Sequence, residues 1–455
     1  MASVNYQHNE YKKLLPLWTR CDDVSDGEDA VKEKGTLYLP KLPEQLDEDY
    51  KAYKIRASFF NATYRTIAGL VGMAFRKPPV ITVKESLNQY LDDVTLTGMP
   101  FVDFSKYVLE EYIELGKVGV LVDFPNVDIT GITQAQAASL NLRPIMQCYD
   151  AVEIINWRHE IVNNKKILTF VVLTEKSEIK INDFESESET RYRALDLFNG
   201  IYRQRIFRVS QNGQEELLGE IFPKINGINL NYIPFEIIDF ELPPLIDLVN
   251  LNLSHYRVSA DYENGCHFTG LAQVVITGYQ KEQNERLYYG GGNAWAFPNP
   301  DANALILSMD NDFVALTSNL NRKEQQMAIL GARMLSADKK AAETAEAAQI
   351  HRSGEQSVLS SLVSDVSKAL TSALKIFSEW ANIPDENASI EINQDFVAQL
   401  LGAQDLTALV GSWQSGAISQ EVLFDNLKRG GIYQESDNFE DEQERIASQG
   451  IIPTP

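Results

Sequence analysis

The stretch from residue 320 to residue 380 constrains this chain most. In its second part Ile350, Leu359, Leu362, Val363, Val366, Leu370, Ala373, Leu374 and Phe377 recur largely at three- and four-residue steps, the period of one helix face. Its first part carries Gln325, Gln326, Met327 and Leu330 and reads as a helix ending near Leu335. Ser336-Ala337-Asp338 predicts a break between the two, because Ser and Asp favour helix ends over interiors. Two long helical arms joined by basic and small residues are unusual for a small enzyme.

The rest of the pattern is mixed, and the fold class it predicts is α+β. Residues 1–48 read as an irregular acidic arm, with Asp22, Asp23, Asp26, Glu28 and Asp29 close together. Residues 50–75 read as one helix, closed by Pro78-Pro79, and residues 80–83 as a short strand. A helix over 101–115, Gly116 as its C-cap and a buried strand over 118–124 complete an α/β region reaching to about residue 155. From 156 to 240 the character is β: 167–173, 191–198, 201–209, 217–222 and 232–240 are strand-like, and Asn212-Gly213 predicts a hairpin. The Ser/Glu tract 185–189 reads as a solvated loop.

A helix over 245–268 carries Leu248, Val249, Leu253 and Tyr256 interleaved with Asn250, Asn252, Ser254 and His255. It has no clean polar face, a pattern that suits packing against copies of itself better than lying on one monomeric core. Strands are expected over 273–278 and 304–307, around Gly290-Gly291-Gly292-Asn293. The last segment, from Asp385, holds 13 acidic residues against three basic ones, with helices near 396–401, 405–413 and 419–427 and Ser419 as an N-cap.

Composition narrows the function. The 455 residues carry a formal charge of −23, which does not grip DNA by releasing counterions along a phosphate backbone. The length suggests roughly two to four domains. Cys21, Cys148 and Cys266 are far apart and odd in number, so a reducing compartment is expected. The polar start and the absence of a long apolar run lead to the expectation of a soluble intracellular product. His8, His159, His255, His267 and His351 include no His-x-x-x-His pair, and no phosphate-binding loop or nucleophile elbow is present. Gly290-Gly291-Gly292 lacks the lysine of a phosphate loop, and Asp310-Asn311-Asp312 is followed by Val314 and Ala315 where a calcium loop needs an oxygen ligand and a glycine. No enzyme activity, cofactor or metal is expected. Arg191, Arg193, Arg203, Arg205 and Arg208 are either a solvated strand face or a binding patch. Arg333, Lys339 and Lys340 flank the helix break, where they either face a channel or cap helix ends.

Five blocks in order resemble the portal proteins of tailed bacteriophages, a family common in short-tailed phages and prophages. They are Tyr64 to Pro78 (YRTIAGLVGMAFRKP), Asn250 to Arg257 with Ser259 to Glu263, Gly292-Asn293-Ala294-Trp295, Lys323 to Met327 with Gly331-Ala332-Arg333, and Glu343 to Ala348. The resemblance implies a ring, usually of twelve subunits, at one capsid vertex. Double-stranded DNA passes through it during packaging and ejection without sequence readout. Its partners would be other copies of the chain, the major capsid protein, the large terminase subunit and head–tail adaptor or tail proteins, with no membrane. Its place would be the virion, and the host cytoplasm during assembly. Mapped onto this sequence, 1–155 would be an α/β wing, 156–240 a β-rich region containing the clip and 241–269 a stem helix. Residues 270–319 would be wing return strands, 320–384 a kinked long helix with a tunnel loop, and 385–455 a helical crown and tail. Arg333, Lys339 and Lys340 would face the tunnel and the five arginines would lie in the clip. Leu248, Val249, Leu253 and Tyr256 would sit at a subunit interface. Competing readings are another virion protein, of head–tail adaptor or scaffold type, and a hydrolase working through a carboxylate pair.

Overall fold

The structure is a computed structural model that describes residues 3–125, 142–270, 273–278, 299–307, 313–333, 358–394, 396, 403–429, 433 and 438–448, apart from 211 and 226. The longer helices are α1 (Asn9–Asp26), α2 (Asp47–Arg56), α3 (Ala62–Ala74), α4 (Phe101–Leu115), α5 (Ile246–Thr269), α6 (Val314–Arg333), α7 (Val358–Trp380), α8 (Ala403–Gln414), α9 (Gln420–Arg429) and α10 (Phe439–Ser448). The strands are β1 (Val80–Thr82), β2 (Lys117–Asp123), β3 (Ile145–Asp150), β4 (Ile154–Val162), β5 (Lys165–Lys180), β6 (Ser186–Phe198), β7 (Ile201–Val209), β8 (Glu215–Ile221), β9 (Lys224–Ile225), β10 (Ile228–Asn229), β11 (Phe235–Asp239), β12 (Gln273–Thr277), β13 (Asn303–Leu307) and β14 (Ser389–Glu391). The fold is α+β, as the sequence pattern predicts. It divides into two compact units: Met1–Trp18 with Ile67–Pro244 and Arg333–Pro455, and Thr19–Thr66 with Leu245–Ala332.

The first unit is built on the apolar stripe of α7. Leu359, Leu362, Val363, Val366, Leu370, Ala373, Leu374 and Phe377 are all buried. They pack on α4, on strands β2, β3 and β11, and on β14. Strands β11, β2 and β3 form an antiparallel sheet with β2 in the centre, and every residue of β2 is buried. The turn from α4 into β2 needs a left-handed residue, and Gly116 supplies it at φ 73°. Two residues into β2, the Phe235 ring lies where a Cβ on Gly119 would be, 2.1 Å from its position, so only glycine admits the ring there.

Strands β4 to β8 form a five-stranded antiparallel meander in sequence order. Left-handed residues close two of its hairpins: Asn163 and Asn164 between β4 and β5, and Asn199 and Gly200 between β6 and β7. Strand β5 is long, and its far half outruns the sheet. The β4 pairing reaches Leu173, and the β7 pairing of β6 stops at Arg191. Beyond them Lys176–Lys180 pairs with Ser186–Thr190 alone, as a two-stranded ribbon.

The second unit is mainly helical, with α2, α5 and α6 and the β12–β13 hairpin. Helix α5 presents Leu248, Val249, Asn252, Leu253, Tyr256, Ser259 and Ala260 to its interior. Those positions follow helical spacing once the polar members are counted.

Three sequence expectations differ from the structure. Residues 1–48 are not an irregular arm: α1 forms because Tyr11, Leu14, Trp18, Cys21 and Val24 are helically spaced and buried, a stripe obscured by Pro16 and the acidic residues. Residues 50–75 are two helices, since α2 ends at Arg56 and α3 starts at Ala62. The tract 185–189 enters strand β6 from Ser186 onward, because pairing to β5 outweighs its polar composition. The break at 336–338, the Gly290–Gly292 turn and Asp310–Asp312 lie outside the described residues.

Candidate functional surfaces

The arginines of β6 and β7 look like one patch in sequence and are not one in space. Side chains alternate along a strand, and the β6–β7 register pairs Arg191 with Arg208, Arg193 with Ile206, Ala194 with Arg205 and Asp196 with Arg203. Arg191, Arg193 and Arg208 therefore share one face, and Arg203 and Arg205 occupy the other. Each is matched by carboxylate. Arg203 reaches Asp196 at 2.7 Å and Glu220 at 2.8 Å, and Arg205 reaches Asp196 at 2.8 Å. Arg208 meets Glu189 at 3.3 Å and Glu216 at 2.5 Å, and Arg191 meets Glu189 at 3.2 Å. These charges are spent on the sheet's own acids.

Arg193 reaches beyond its own sheet. Its guanidinium contacts Asp123 Oδ2 at 2.7 Å and Glu175 Oε1 at 2.8 Å. Gln204 Nε2 donates to the other Asp123 oxygen at 2.9 Å, and the Tyr149 hydroxyl donates to Glu175 Oε1 at 2.5 Å. Asp123 comes from β2 and Arg193 from β6, so this network ties the three-stranded sheet to the five-stranded meander. Burial and the Glu175 carboxylate push the Tyr149 hydroxyl far above its ordinary value, so it stays a donor. Beside the network lies a cleft of about 250 Å³ lined by Leu96, Phe124, Ile145, Ile206 and Ile221 with Arg193 and Gln204. Asp123, Glu175 and Gln204 were not singled out by sequence reasoning. The register of β5, β6 and β7 sets Glu175 and Gln204 beside Arg193, and the packing of β2 against that sheet brings in Asp123.

Leu248, Val249, Leu253 and Tyr256, the candidate interface residues of α5, are buried in the single chain. Several polar residues of α5 find partners, although the buried His255 Nδ1 and Tyr256 hydroxyl have none among the described residues. Asn252 Oδ1 accepts from the backbone N–H groups of Ala62 and Thr63 and from Thr63 Oγ1, each at 3.1 Å, while its Nδ2 donates to the Phe60 carbonyl at 2.9 Å. It thereby caps α3 from a distant helix. Arg20 donates to Asn250 at 2.8 Å, Lys323 to Ser254 Oγ at 2.6 Å, Arg257 to the Tyr38 carbonyl at 2.9 Å, and Tyr53 to Asp261 at 2.6 Å. Asn250, Asn252, Ser254, Arg257 and Asp261 on α5 thus each meet a group of the same chain.

Helix α6 is different. Of the side chains described on its 20 residues, Lys323 and Met327 are buried, one turn apart. Val314 is 70% exposed and Ile329 53% exposed. A groove lined by Thr317, Ser318, Asn321, Arg322 and Gln325 runs along it. Arg333 closes α6; its side chain, and all of Lys339 and Lys340, lie outside the described residues.

A group of acids gathers at the β3–β4 turn. Asp150 Oδ1 accepts from the N–H groups of Val152 at 2.7 Å and Glu153 at 2.8 Å, and the Asp150 N–H donates to Glu153 Oε2 at 3.2 Å. Burial, and then the Asp150 charge, push Glu153 up to about 7. Because the folded value is raised, the stabilising effect is complete below the ordinary carboxylate range and is lost as pH climbs through 7. Glu153→Gln keeps the acceptor and removes the titration. It is expected to gain on the order of 2–3 kcal/mol over the parent at pH 8 and little near pH 4, read as the difference in urea midpoints. Among the described residues no group of three His, Cys, Asp or Glu side chains could hold a metal ion, and no helix is long and apolar enough to cross a membrane.

Residues 244–381 match the model of a domain of unknown function, DUF4055. No curated protein matches the sequence. Among solved structures the chain is similar to one from the neck of an empty gene transfer agent particle computed with C6 symmetry, at 10% identity and TM-score 0.38, covering 88% of this chain and 93% of that one. A chain of the virion of the native gene transfer agent particle is similar at 9% identity and TM-score 0.38, covering 93% and 99%. One from the native neck computed with C12 symmetry is similar at 9% identity and TM-score 0.37, covering 88% and 93%.

Proposed function

We propose that this chain is the portal subunit of a tailed phage or related particle, a structural protein forming a ring at one capsid vertex. The observation that carries the reading is the poorly covered α6. Lys323 and Met327 are the only buried side chains among those described on this 20-residue helix, which leaves much of its surface, Val314 and Ile329 included, open to a neighbour. A ring of identical subunits supplies that neighbour by rotation, with one face meeting a different face of the next copy. The five sequence blocks name the kind of ring, and three of them have parts in the helices α3, α5 and α6.

The charge agrees with the role. A bore for DNA must let phosphates pass without deep wells, and an acidic chain whose sheet arginines are already paired offers little to hold them. On this reading α5 is the stem helix, the five-stranded sheet belongs to the clip-bearing region and 385–455 is the crown. Arg333, Lys339 and Lys340 contact the DNA backbone transiently. The terminase, the capsid protein and the tail proteins dock on the ring. Light scattering on the purified chain tests it: the expected mass is about twelve times the 51.2 kDa of one subunit, and a monomer at every concentration overturns it.

A further inference from the structure

Three bases of the second unit stand apart from its carboxylates. Lys323 of α6 is 8% exposed, and its ammonium donates to Ser254 Oγ of α5 at 2.6 Å. Ser254 is its only hydrogen-bond partner among the described residues, so the chain satisfies one of three ammonium N–H groups. One turn along α5 from Ser254, Arg257 donates through Nε to the Tyr38 carbonyl at 2.9 Å, which leaves both of its terminal nitrogens for another acceptor. Arg322, next to Lys323, reaches the Asn319 amide oxygen at 3.1 Å with one nitrogen. The neighbouring acids turn elsewhere, Glu324 to His255 at 3.4 Å and Asp261 to Tyr53 at 2.6 Å. Among the described residues none of the three bases forms an ion pair with a carboxylate. In a chain of net charge −23, whose sheet arginines Arg203, Arg205 and Arg208 all meet acids, that exception needs a cause.

Burial, and then the charges of Arg322 and Arg257, pull Lys323 below the ordinary lysine value, so the three cations are close enough to oppose one another. A buried ammonium without a counter-charge is costly, and an anion seated among the three offsets both the burial and the repulsion. Approach is open, since Arg257 and Arg322 are exposed and the groove beside Arg322 is lined by hydroxyl, amide and apolar side chains with no carboxylate. We propose that Lys323, Arg257 and Arg322 hold a phosphate dianion, either the free ion or the end of a phosphate monoester. The oxygens of a tetrahedral ion point in several directions and can meet donors arriving from two helices, whereas a carboxylate offers two oxygens in one plane. The bound ion joins α5 to α6 and stabilises the second unit by mass action. The inference does not rest on the portal reading, and its failure leaves that reading standing.

Calorimetric titration of the full chain at constant ionic strength tests it, with inorganic phosphate and adenosine monophosphate as the probes. The expected result is saturable binding of one ion per chain, weakened about tenfold or more when Arg257→Gln and Arg322→Gln are combined. Both side chains are exposed, so the variant should melt like the parent when phosphate is absent. Lys323→Met, which keeps the buried stem, should abolish binding. Tighter binding of inorganic phosphate assigns the site to the free ion, and tighter binding of the nucleotide assigns it to a monoester. No saturable binding, binding indifferent to the arginine changes, or displacement of phosphate by duplex DNA, the mark of a backbone diester, overturns the proposal.

Discussion

Arg193→Ala should lower the unfolding free energy by about 3–5 kcal/mol, among the largest effects of any single change in this chain. The substitution leaves Asp123 and Glu175 facing each other across the space the guanidinium filled, enclosed by Tyr149 and Gln204. Two carboxylates largely shut away from water without their cation are costly. Coupling is the sharper check. With Asp123→Asn added, the double variant should lose clearly less than the sum of the two single changes, because the orphaned charge is gone. Urea melts of the four proteins measure this; strict additivity would mean that the pair contributes nothing. Arg193→Lys should recover a part only, since an ammonium cannot reach both acids from one plane.

Asn252→Ala should cost about 3–4 kcal/mol, with the loss localised to the start of α3. One side chain answers two backbone N–H groups, a hydroxyl and a carbonyl. Removing it leaves buried donors at the helix end without a substitute, each worth about 1–3 kcal/mol in such a setting, part of which water entry returns. Asn252→Asp separates capping from the rest. It keeps the acceptor that α3 needs but opposes the Phe60 carbonyl with a second oxygen. Its cost should fall below that of alanine at the helix and appear at residue 60. Hydrogen exchange resolves the two: faster exchange at Ala62 and Thr63 in the alanine variant, and near-parent protection there in the aspartate variant. Uniform loss of protection across the second unit in both would contradict the capping role.

Much of the fold is written locally and was therefore legible. The stripe of α7, the α4–Gly116–β2 corner and the β meander each follow from a short-range rule of period or turn chemistry. Helix α1 was hidden because proline and four acids interrupt the visible pattern while the burying residues stay on register. The sites were less legible, for a physical reason. Five arginines close in sequence fall on two faces, and their carboxylates come from β2, β5, β6 and β8, which no spacing rule connects. Helix α5 shows a different limit. Its asparagines and serine look like a helix that needs a neighbour, and Asn250, Asn252 and Ser254 each also meet a group of the same chain. A polar residue in a helix stripe can be a cap for another helix, and the sequence around it carries no sign of which.

The account rests on α6 finding its cover in a sister subunit. Negative-stain electron micrographs of the purified full chain test that directly. The account predicts flanged rings with a central hole, in end views of a single rotational order. A field of separate single-chain particles, at concentrations where a particle vertex would assemble, would contradict it.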